Sequence, residues 1–457
     1  MRPALPRLDA STWAALTGAL LRLAAFPFAE DLQGDAPVRS DIAQAWAHSP
    51  GLWWSYAHVL QFGPLPVHLE GILVRLGIPG LVGARLVPLA LGIGGLFLTA
   101  RVARRLGGPE VSALATWALA LSPLHIQAST TCTSEAIFLF FVLVAIEGII
   151  CNRLALMILG AFCASTTRYD AWLWLPLVSA LVAWRGQFKI QSLLAASLLA
   201  LGPASILAAN FVDGGHPFAP LDHISRDHVQ LATAFAASWN PVLWRLGNVA
   251  FWPAATLVAL TPVFAVLAIR ALSKRPSADA LIVLAIALVP TAIYAVRGLA
   301  TGTFLPLLRM ALVPAALLAC VAPAVTRRGL TLAISAALVF DVGALALANL
   351  DTPVRALAER ATPLERLPSD LRAGVAAVRE SPGTVALDIG PRWEDIVIAH
   401  HAERDRFALY SPSTPPSRII SIRGGKLYSA LNSTRRAFGR DCTPSGQVDR
   451  VAWWDCH

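Results

Sequence analysis

Long apolar segments recur from residue 11 to about residue 350, and short polar loops separate them. A helix needs roughly 20 apolar residues to cross the hydrocarbon core of a bilayer. The chain is 56% hydrophobic, with a mean hydropathy of +0.59, and a soluble domain has no interior large enough to bury that share. We therefore predict an all-α polytopic membrane domain over residues 1–350, with roughly eleven transmembrane helices. The predicted spans are 11–29, 81–100, 111–128, 134–150, 153–168, 171–184, 190–210, 246–269, 279–296, 307–325 and 330–349.

Basic residues concentrate in alternate loops of this pattern. If the N-terminus lies in the cytoplasm, these basic loops all fall on the cytoplasmic side, as the positive-inside rule requires. They are RVARR (101–105), CNR (151–153), WRGQFK (184–189), RALSKR (270–275) and TRR (326–328). The net charge of +9 therefore reflects membrane topology, and no basic stripe interleaved with aromatic residues indicates nucleic acid as a partner. The pattern predicts a multi-pass protein of the inner, cytoplasmic membrane.

The N-terminal segment allows two interpretations. Basic residues precede an apolar run within residues 1–29, as in a secretory signal peptide. Arg22 lies inside that run, however, and no clear small-residue cleavage site follows it. We therefore favour a first helix that is retained in the membrane.

Residues 351–457 differ from the preceding part of the chain, because they are polar and mixed in charge. The segment PGTVALDIGPRWEDIVIAHHAERDRFALYS (382–411) has the pattern strand, turn, helix, strand, which predicts a small α/β domain. The loop charges place this domain outside the cytoplasm. In that compartment Cys442 and Cys456 are candidates for a disulfide bond, although two unpaired thiols fit the sequence equally well.

Several charged residues lie at the predicted outer ends of the helices, where a charge is costly unless it has a function. The acids include Asp35, Glu135 and Asp170, and the arginines include Arg168 and Arg309. Arginine binds phosphate through paired hydrogen bonds, and a carboxylate can take a proton from a hydroxyl group. We expect these side chains to form one pocket that supports group transfer from a phosphate-linked lipid. Carboxylates could also hold a divalent cation such as Mg²⁺ or Mn²⁺.

Four stretches of the chain match a known family in motif and order. They are GDAPVRSDIAQAW (34–46), FGPLPVHLEGILVRLG (62–77), the segment from ARLVPLAL to FVLVAIEG (84–148), and STTRYDAWLWLPLV (165–178). These stretches resemble the GT-C glycosyltransferases, in particular glycosyltransferase family 39, which includes protein O-mannosyltransferases and the lipid A aminoarabinose transferase. The resemblance covers residues 11 to about 215, and the later spans match mainly in spacing. It implies a GT-C membrane fold and a polyprenyl-phosphate sugar donor.

By position, the resemblance also implies roles for individual residues. Asp35 matches the acid of the first outer loop, which is expected to act as the general base. Glu135 matches the acid that begins the fourth helix, near the donor phosphate or a metal. Arg168 and Asp170 match the step after the fifth helix. Arg309 lies where the family often has Arg-Tyr before a proline.

Two positions depart from the family. Met310 follows Arg309 in place of the aromatic residue, which weakens the match at that arginine. Ala36 follows Asp35, where the family often has a second acid. Because a paired acid is one way to hold a cation, the sequence leaves open whether Asp35 and Glu135 bind a metal.

Each candidate also has a structural alternative. Asp35 could cap a helix, Glu135 could complement a helix dipole, and Arg168 could anchor a span at the membrane interface. Three further residues are weaker candidates for the vicinity of the substrate: Arg39, His125 and His216.

The sequence therefore predicts a membrane glycosyltransferase that moves a sugar from a polyprenyl-phosphate donor to a lipid, glycan or protein acceptor at the outer face of the inner membrane. A single displacement with Asp35 as the base would invert the anomeric centre. The alternative is a transporter or flippase of a lipid-linked or anionic substrate, although such proteins commonly carry internal repeats that are not evident here. A non-catalytic assembly subunit is a third interpretation.

Overall fold

The structure, a computed structural model, describes residues 9–27, 35–78, 80–237, 239–271, 277–304, 306–322, 325–348, 364–381, 383–388, 398, 401–402, 416–423, 427–437 and 439–457. These residues are mostly helical, and a small sheet lies near the C-terminus. The chain divides into two compact units. The first comprises Met1–Ala29, Trp46–Ile78 and Val82–Asp341, and the second comprises Glu30–Ala45, Pro79–Leu81 and Val342–His457.

Helices account for nearly all of the described chain up to residue 348. They are α1 (Ala10–Ala25), α2 (Asp35–His48), α3 (Tyr56–Val59), α4 (Pro64–Arg75), α5 (Gly80–Leu121), α6 (Pro123–Thr130), α7 (Glu135–Ile150), α8 (Leu154–Thr167), α9 (Ala171–Arg185), α10 (Ile190–Leu198), α11 (Leu201–Gly214), α12 (Ala219–Ala236), α13 (Pro241–Ala259), α14 (Pro262–Ala271), α15 (Ala278–Thr301), α16 (Leu312–Cys320) and α17 (Arg327–Ala348). A 3₁₀ turn, Leu308–Ala311, precedes α16.

Each predicted span overlaps at least one of these helices, but few of the helices could cross a bilayer alone. Among the described residues, Val82–Leu121 and Ala278–Thr301 are long and apolar enough to do so, and two bent helix pairs would raise the number to four. Many of the others are short. The 14 residues of α8 extend only about 21 Å, less than the thickness of the hydrocarbon core. The count of roughly eleven spans therefore stays a prediction.

Helices α7 and α8 form a close antiparallel hairpin. Gly148 of α7 faces the backbone of Met157, and Gly160 of α8 faces the backbone of Ala145. A Cβ atom on Gly160 would lie 2.3 Å from the Ala145 backbone nitrogen, so only glycine permits this approach. Small residues allow helices to pack closely in the absence of a hydrophobic driving force. The hairpin fixes the start of α7 beside the end of α8.

The second unit contains an α/β domain near the C-terminus. Its described elements are α18 (Ser369–Arg379), β1 (Val385–Asp388), β2 (Arg418–Ile422), α19 (Tyr428–Thr434), β3 (Arg436–Ala437), β4 (Arg440–Val448) and β5 (Val451–Cys456). The strand order is β1-β2-β5-β4-β3, in which β1 and β2 are parallel and the other pairs are antiparallel. The predicted first strand of the segment 382–411 corresponds to β1, whereas most of the remainder lies outside the described residues.

A disulfide bond joins two strands of this domain. Cys442 of β4 and Cys456 of β5 are paired in the strand register, and their sulfur atoms are bonded. The other four cysteines of the chain, which lie in the first unit, are not disulfide-bonded. Leu371, Val375 and Val378 of α18 pack against the β1 and β2 residues of the sheet to form its core.

Candidate active site

Glu135 and Arg168 lie at the same end of the α7–α8 hairpin because the two helices are antiparallel. Glu135 is the first residue of α7, where a carboxylate complements the positive end of the helix dipole. Arg168 directly follows α8, and its extended backbone ends that helix. Asp170 immediately precedes α9. Two helix ends and one short turn therefore place three charged side chains together.

The Arg168 guanidinium joins the two carboxylates. Its Nη1 donates to Oε1 of Glu135 at 2.5 Å, and its Nε donates to Oδ2 of Asp170 at 2.7 Å. Nη1 also donates to the Ser134 hydroxyl at 3.2 Å. The Glu135 side chain is almost completely buried. Removing one partner from such a buried pair is costly, because the remaining charge has lost its contact with water.

Arg309 approaches the same glutamate from a distant part of the chain. It lies in the 3₁₀ turn before α16, and its Nε is 3.7 Å from Oε1 of Glu135. Glu135 therefore lies between two arginines. The structure thus brings together four of the residues that the sequence placed in one pocket: Glu135, Arg168, Asp170 and Arg309.

Tyr294 belongs to the same cluster, although the sequence did not indicate it. Its hydroxyl donates a hydrogen bond to Oδ1 of Asp170. In the sequence, a tyrosine in the apolar helix α15 cannot be distinguished from an aromatic residue at the membrane interface. Pro290 and Thr291 lie one turn earlier on the same helical face. These two residues interrupt the apolar sequence of α15, and that interruption is the signal that could have pointed to the site.

These side chains line a cavity of about 410 Å³, a volume that includes solvent at its opening. One part of the wall is charged and contains the four residues described above. The other part is mainly apolar and includes Phe138, Trp174, Ile286 and Val313. A cavity with charged and apolar walls suits a ligand that has both an anionic group and a hydrocarbon chain.

Tyr294, which lines the cavity, belongs to a cluster of four aromatic rings. The rings of Tyr294 and Phe304 are nearly parallel, and their centroids are 4.9 Å apart. The ring centroid of Trp252 lies 5.6 Å from that of Tyr294 and 6.3 Å from that of Phe304. The His228 ring of α12 stacks on Phe304 at 4.8 Å. Burial, and then the positive charge of nearby Arg297, lowers the pKa of His228, which favours the neutral form of the ring.

Neither of the two predicted histidines lines this cavity. His125 is fully buried in α6, and its Nδ1 contacts the guanidinium of Arg22, which also donates to the carbonyls of Leu119 and Ala120. His216 is exposed and lies 2.6 Å from a carboxylate oxygen of Asp222. The structure therefore gives both histidines partners within the helical unit.

Asp35 and Arg39 belong to a different unit from the cavity. Asp35 is the first residue of α2, and the buried Arg39 follows one turn later. Residues 30–45 belong to the second unit, whereas the cavity lies in the first. The roles of Asp35 as the base and of Arg39 near the substrate therefore stay predictions.

The acids that line the cavity fit an arginine better than a divalent cation. The Arg168 guanidinium already bonds both Glu135 and Asp170. In the part of the chain that the structure describes, no group of three His, Cys, Asp or Glu side chains is arranged to hold a metal ion. The idea that Asp35 and Glu135 bind Mg²⁺ or Mn²⁺ gains no support from the position of Glu135, and we assign no reaction step to a metal.

No protein-family model matches the chain, and no curated protein matches it at a significant level. Its fold, in contrast, is similar to solved structures over nearly the whole length. ArnT from Cupriavidus metallidurans in the apo state is 13% identical, with a TM-score of 0.58, and the match covers 97% of this chain and 98% of ArnT. For ArnT bound to undecaprenyl phosphate the identity is 12%, the TM-score is 0.60, and 98% of each chain is covered.

A weaker similarity links the chain to the oligosaccharyltransferase AglB from Archaeoglobus fulgidus, in complex with an inhibitory peptide and a dolichol phosphate. The identity is 11%, the TM-score is 0.46, and the match covers 93% of this chain and 70% of AglB. ArnT belongs to the GT-C superfamily. The similarity to ArnT confirms the GT-C fold that the sequence resemblance implied.

Proposed function

We propose that the chain is a membrane glycosyltransferase that moves a sugar from a polyprenyl-phosphate donor to an acceptor at the membrane surface. The observation that carries this proposal is the convergence of Arg168 and Arg309 on the buried Glu135, in a cavity that is otherwise mainly apolar. The fold supports the proposal, since ArnT, which has the same fold, was solved with bound undecaprenyl phosphate.

Arg168 is suited to bind the phosphate of the donor. Its Nε and Nη1 are engaged by Asp170 and Glu135, whereas Nη2 has no hydrogen-bond partner among the residues that the structure describes. Arginine N–H groups bind phosphate oxygens through strong, charge-assisted hydrogen bonds. Arg309 would supply a second positive charge. Because the two arginines and two acids cancel in formal charge, the cavity would bind an anion through correctly directed N–H groups rather than through excess charge.

The apolar wall would hold the first units of the isoprenoid chain. Phe138, Trp174, Ile286 and Val313 line the cavity beside the charged cluster. A polyprenyl chain is insoluble in water and stays in the bilayer, so an enzyme that uses it needs a site that opens towards lipid. This requirement explains why a transferase would be built from apolar helices.

Asp35 is the proposed general base. The oxygen of an acceptor hydroxyl would attack the anomeric carbon of the donor sugar while the carboxylate of Asp35 takes the hydroxyl proton. The bond between the anomeric carbon and the phosphate oxygen would break, and the polyprenyl phosphate would leave with the electron pair. Arg168 and Arg309 would stabilise the negative charge that builds on the leaving phosphate. One displacement of this kind inverts the anomeric centre.

The proposal also gives the membrane in which the protein would lie. The protein would lie in the inner membrane, with the cavity and the C-terminal domain on the outer side, as the distribution of basic loops predicts. The acceptor would be a lipid, glycan or protein that is accessible from that side. The disulfide between Cys442 and Cys456 agrees with an oxidising compartment.

A direct assay separates transfer from transport. The purified protein is incubated with a panel of radiolabelled polyprenyl-phosphate sugars and a membrane extract as the source of acceptor, with and without a chelator. We expect label to leave the lipid donor and appear in a new product, together with free polyprenyl phosphate. Movement of the intact labelled lipid across proteoliposomes, with no release of sugar from any donor, would contradict the proposal and favour a flippase.

A further inference from the structure

The hydroxyl of Tyr294 completes a chain of hydrogen bonds that begins in α15 and ends at Glu135. Tyr294 donates to Oδ1 of Asp170, and the other carboxylate oxygen, Oδ2, accepts from Nε of Arg168 at 2.7 Å. Nη1 of Arg168 in turn donates to Glu135 at 2.5 Å. Each oxygen of Asp170 therefore has a donor on a different element of the fold, so rotation of the carboxylate would break at least one of the two bonds.

The arrangement determines which edge of Arg168 is left for a ligand. Asp170 holds Nε, and Glu135 and Ser134 hold Nη1, so the plane of the guanidinium is fixed at two points. Within the described residues Nη2 has no hydrogen-bond partner, and Arg168 lines the cavity. If Asp170 rotated, the guanidinium would lose one of its two anchors and Nη2 would no longer have a defined direction.

The ring of Tyr294 is itself held in place. Phe304 lies 4.9 Å away and nearly parallel to it, Trp252 lies at 5.6 Å, and the two neighbours are 6.3 Å from each other. The three rings therefore form a compact triangle, and His228 extends it by stacking on Phe304. Phe304 and Trp252 are almost fully buried. A hydroxyl on a ring that is packed in this way is already oriented before a ligand binds, which lowers the cost of binding.

We propose that Tyr294 is a positioning residue for donor binding: its hydroxyl orients Asp170, and Asp170 directs Nη2 of Arg168 towards the donor phosphate. This inference rests on the proposed function, because it assumes that Arg168 binds the phosphate of a polyprenyl carrier. Tyr294 need not touch the reacting atoms itself. Its contribution is the direction of the arginine, and that contribution is transmitted only through Asp170.

The test compares variants in their affinity for undecaprenyl phosphate, measured by thermophoresis of the full-length protein in detergent. Tyr294→Phe keeps the ring and its packing and removes only the hydroxyl. We expect it to weaken binding about fivefold to tenfold, the range for loss of one hydrogen bond that orients a charged group. Tyr169→Phe is the matched control, since the Tyr169 hydroxyl donates to the Phe62 carbonyl at 3.2 Å and does not contact Asp170. The control should bind like the wild type.

A double-mutant cycle distinguishes positioning from a general loss of structure. If the hydroxyl acts through Asp170, Tyr294→Phe should have no further effect on affinity in a protein that already carries Asp170→Ala. A purely structural role would instead lower the thermal midpoint and affinity by similar steps in both backgrounds. Independent effects of the two substitutions would overturn the inference.

Arg168→Lys separates failure of this inference from failure of the proposed function. The substitution keeps the positive charge and removes the fork of N–H groups, so we expect affinity to fall at least tenfold, given the strength of charge-assisted pairs. If Arg168→Lys loses binding while Tyr294→Phe retains full affinity, the positioning role is wrong and the proposed phosphate site stands. If Arg168→Lys binds undecaprenyl phosphate like the wild type, Arg168 is not the phosphate ligand and both proposals fail at this residue.

Discussion

Glu135 and Glu147 are buried acids at opposite ends of α7, and each of them lies between two arginines. Glu135 contacts Arg168 and Arg309 at 2.5 and 3.7 Å, and Glu147 contacts two arginines of α5 at 2.7 and 3.2 Å. The chemistry of the two clusters is similar, yet only Glu135 lines the cavity. One helix therefore contains both a candidate functional cluster and its structural counterpart.

The first prediction uses this pair. Glu135→Ala should lower the thermal midpoint, since it leaves the largely buried Arg168 without one of its acids. Glu147→Ala should lower the midpoint less, because Arg101 and Arg105, which contact Glu147, are exposed to solvent. Only Glu135→Ala should also lower the rate of sugar transfer, by about 100-fold, because misplacing groups that contact the substrate by about 1 Å has effects of that size. Transfer rates are compared per folded protein. Equal losses of transfer in the two variants would contradict a specific role for the Glu135 cluster.

The second prediction concerns the hairpin that holds the cluster. Gly160→Ala should separate α7 from α8 and destabilise the protein by about 1–3 kcal/mol, since the new methyl group would collide with the backbone of Ala145. Gly247→Ala in α13 is the matched control, because nothing lies within 4 Å of a Cβ atom at that position. The control should be neutral or slightly stabilising, as alanine favours helices over glycine. Thermal midpoints in detergent provide the comparison, and equal midpoints would contradict close helix packing.

The third prediction concerns pH and the C-terminal domain. Arg418 donates to Asp455 at 2.6 Å, and this hydrogen bond lowers the pKa of Asp455 below its ordinary value, although burial opposes the shift. A carboxyl whose pKa is lower in the folded protein stabilises the fold above its unfolded pKa of about 3.9. This stabilisation is lost as the pH falls through the folded pKa. The thermal midpoint should therefore fall less on acidification for Asp455→Asn than for the wild type.

A control for that experiment is available in the same domain. Asp441 and Arg436 form a pair whose side chains are both mostly exposed, and such pairs contribute little to stability. Asp441→Asn should follow the acid dependence of the wild type. If the thermal midpoints of Asp455→Asn and Asp441→Asn both fall on acidification as that of the wild type does, the Asp455–Arg418 pair does not contribute to stability.

The fourth prediction concerns the proposed base. Asp35→Asn should reduce sugar transfer by about 10²- to 10⁴-fold, the usual contribution of a general base. Binding of undecaprenyl phosphate should be unchanged, because the carboxylate is proposed to act on the acceptor hydroxyl and not on the phosphate. Asp213→Asn, at an exposed acid near the end of α11, serves as the control. Full transfer activity in Asp35→Asn would remove this residue from the mechanism.

Much of the charged cluster could be predicted from the sequence. Glu135, Arg168 and Asp170 are exceptional charges at the ends of apolar segments, and the cost of such charges makes them visible in a single sequence. The family match at Arg309 was weaker, because Met310 replaces the expected aromatic residue. The structure nevertheless brings Arg309 to the same glutamate, Glu135. The family resemblance added the order of these residues along the chain.

Other features could not be predicted for physical reasons. Tyr294 is one of many apolar or aromatic residues in its helix, and only tertiary packing shows that its hydroxyl meets Asp170. His125 resembled a site residue in the sequence, whereas the fold uses it beside Arg22. The number of spans also resists prediction, because bent and short helices share the same hydropathy as straight spans.

The central claim is that the Arg168 cluster binds the phosphate of a polyprenyl carrier. A cryo-electron microscopy structure of the full-length protein with undecaprenyl phosphate tests it most directly. We expect density for the phosphate within hydrogen-bonding distance of Nη2 of Arg168, with the isoprenoid chain along Phe138 and Val313. Density for the lipid phosphate at any other place, with the Arg168 cluster unchanged, would contradict it.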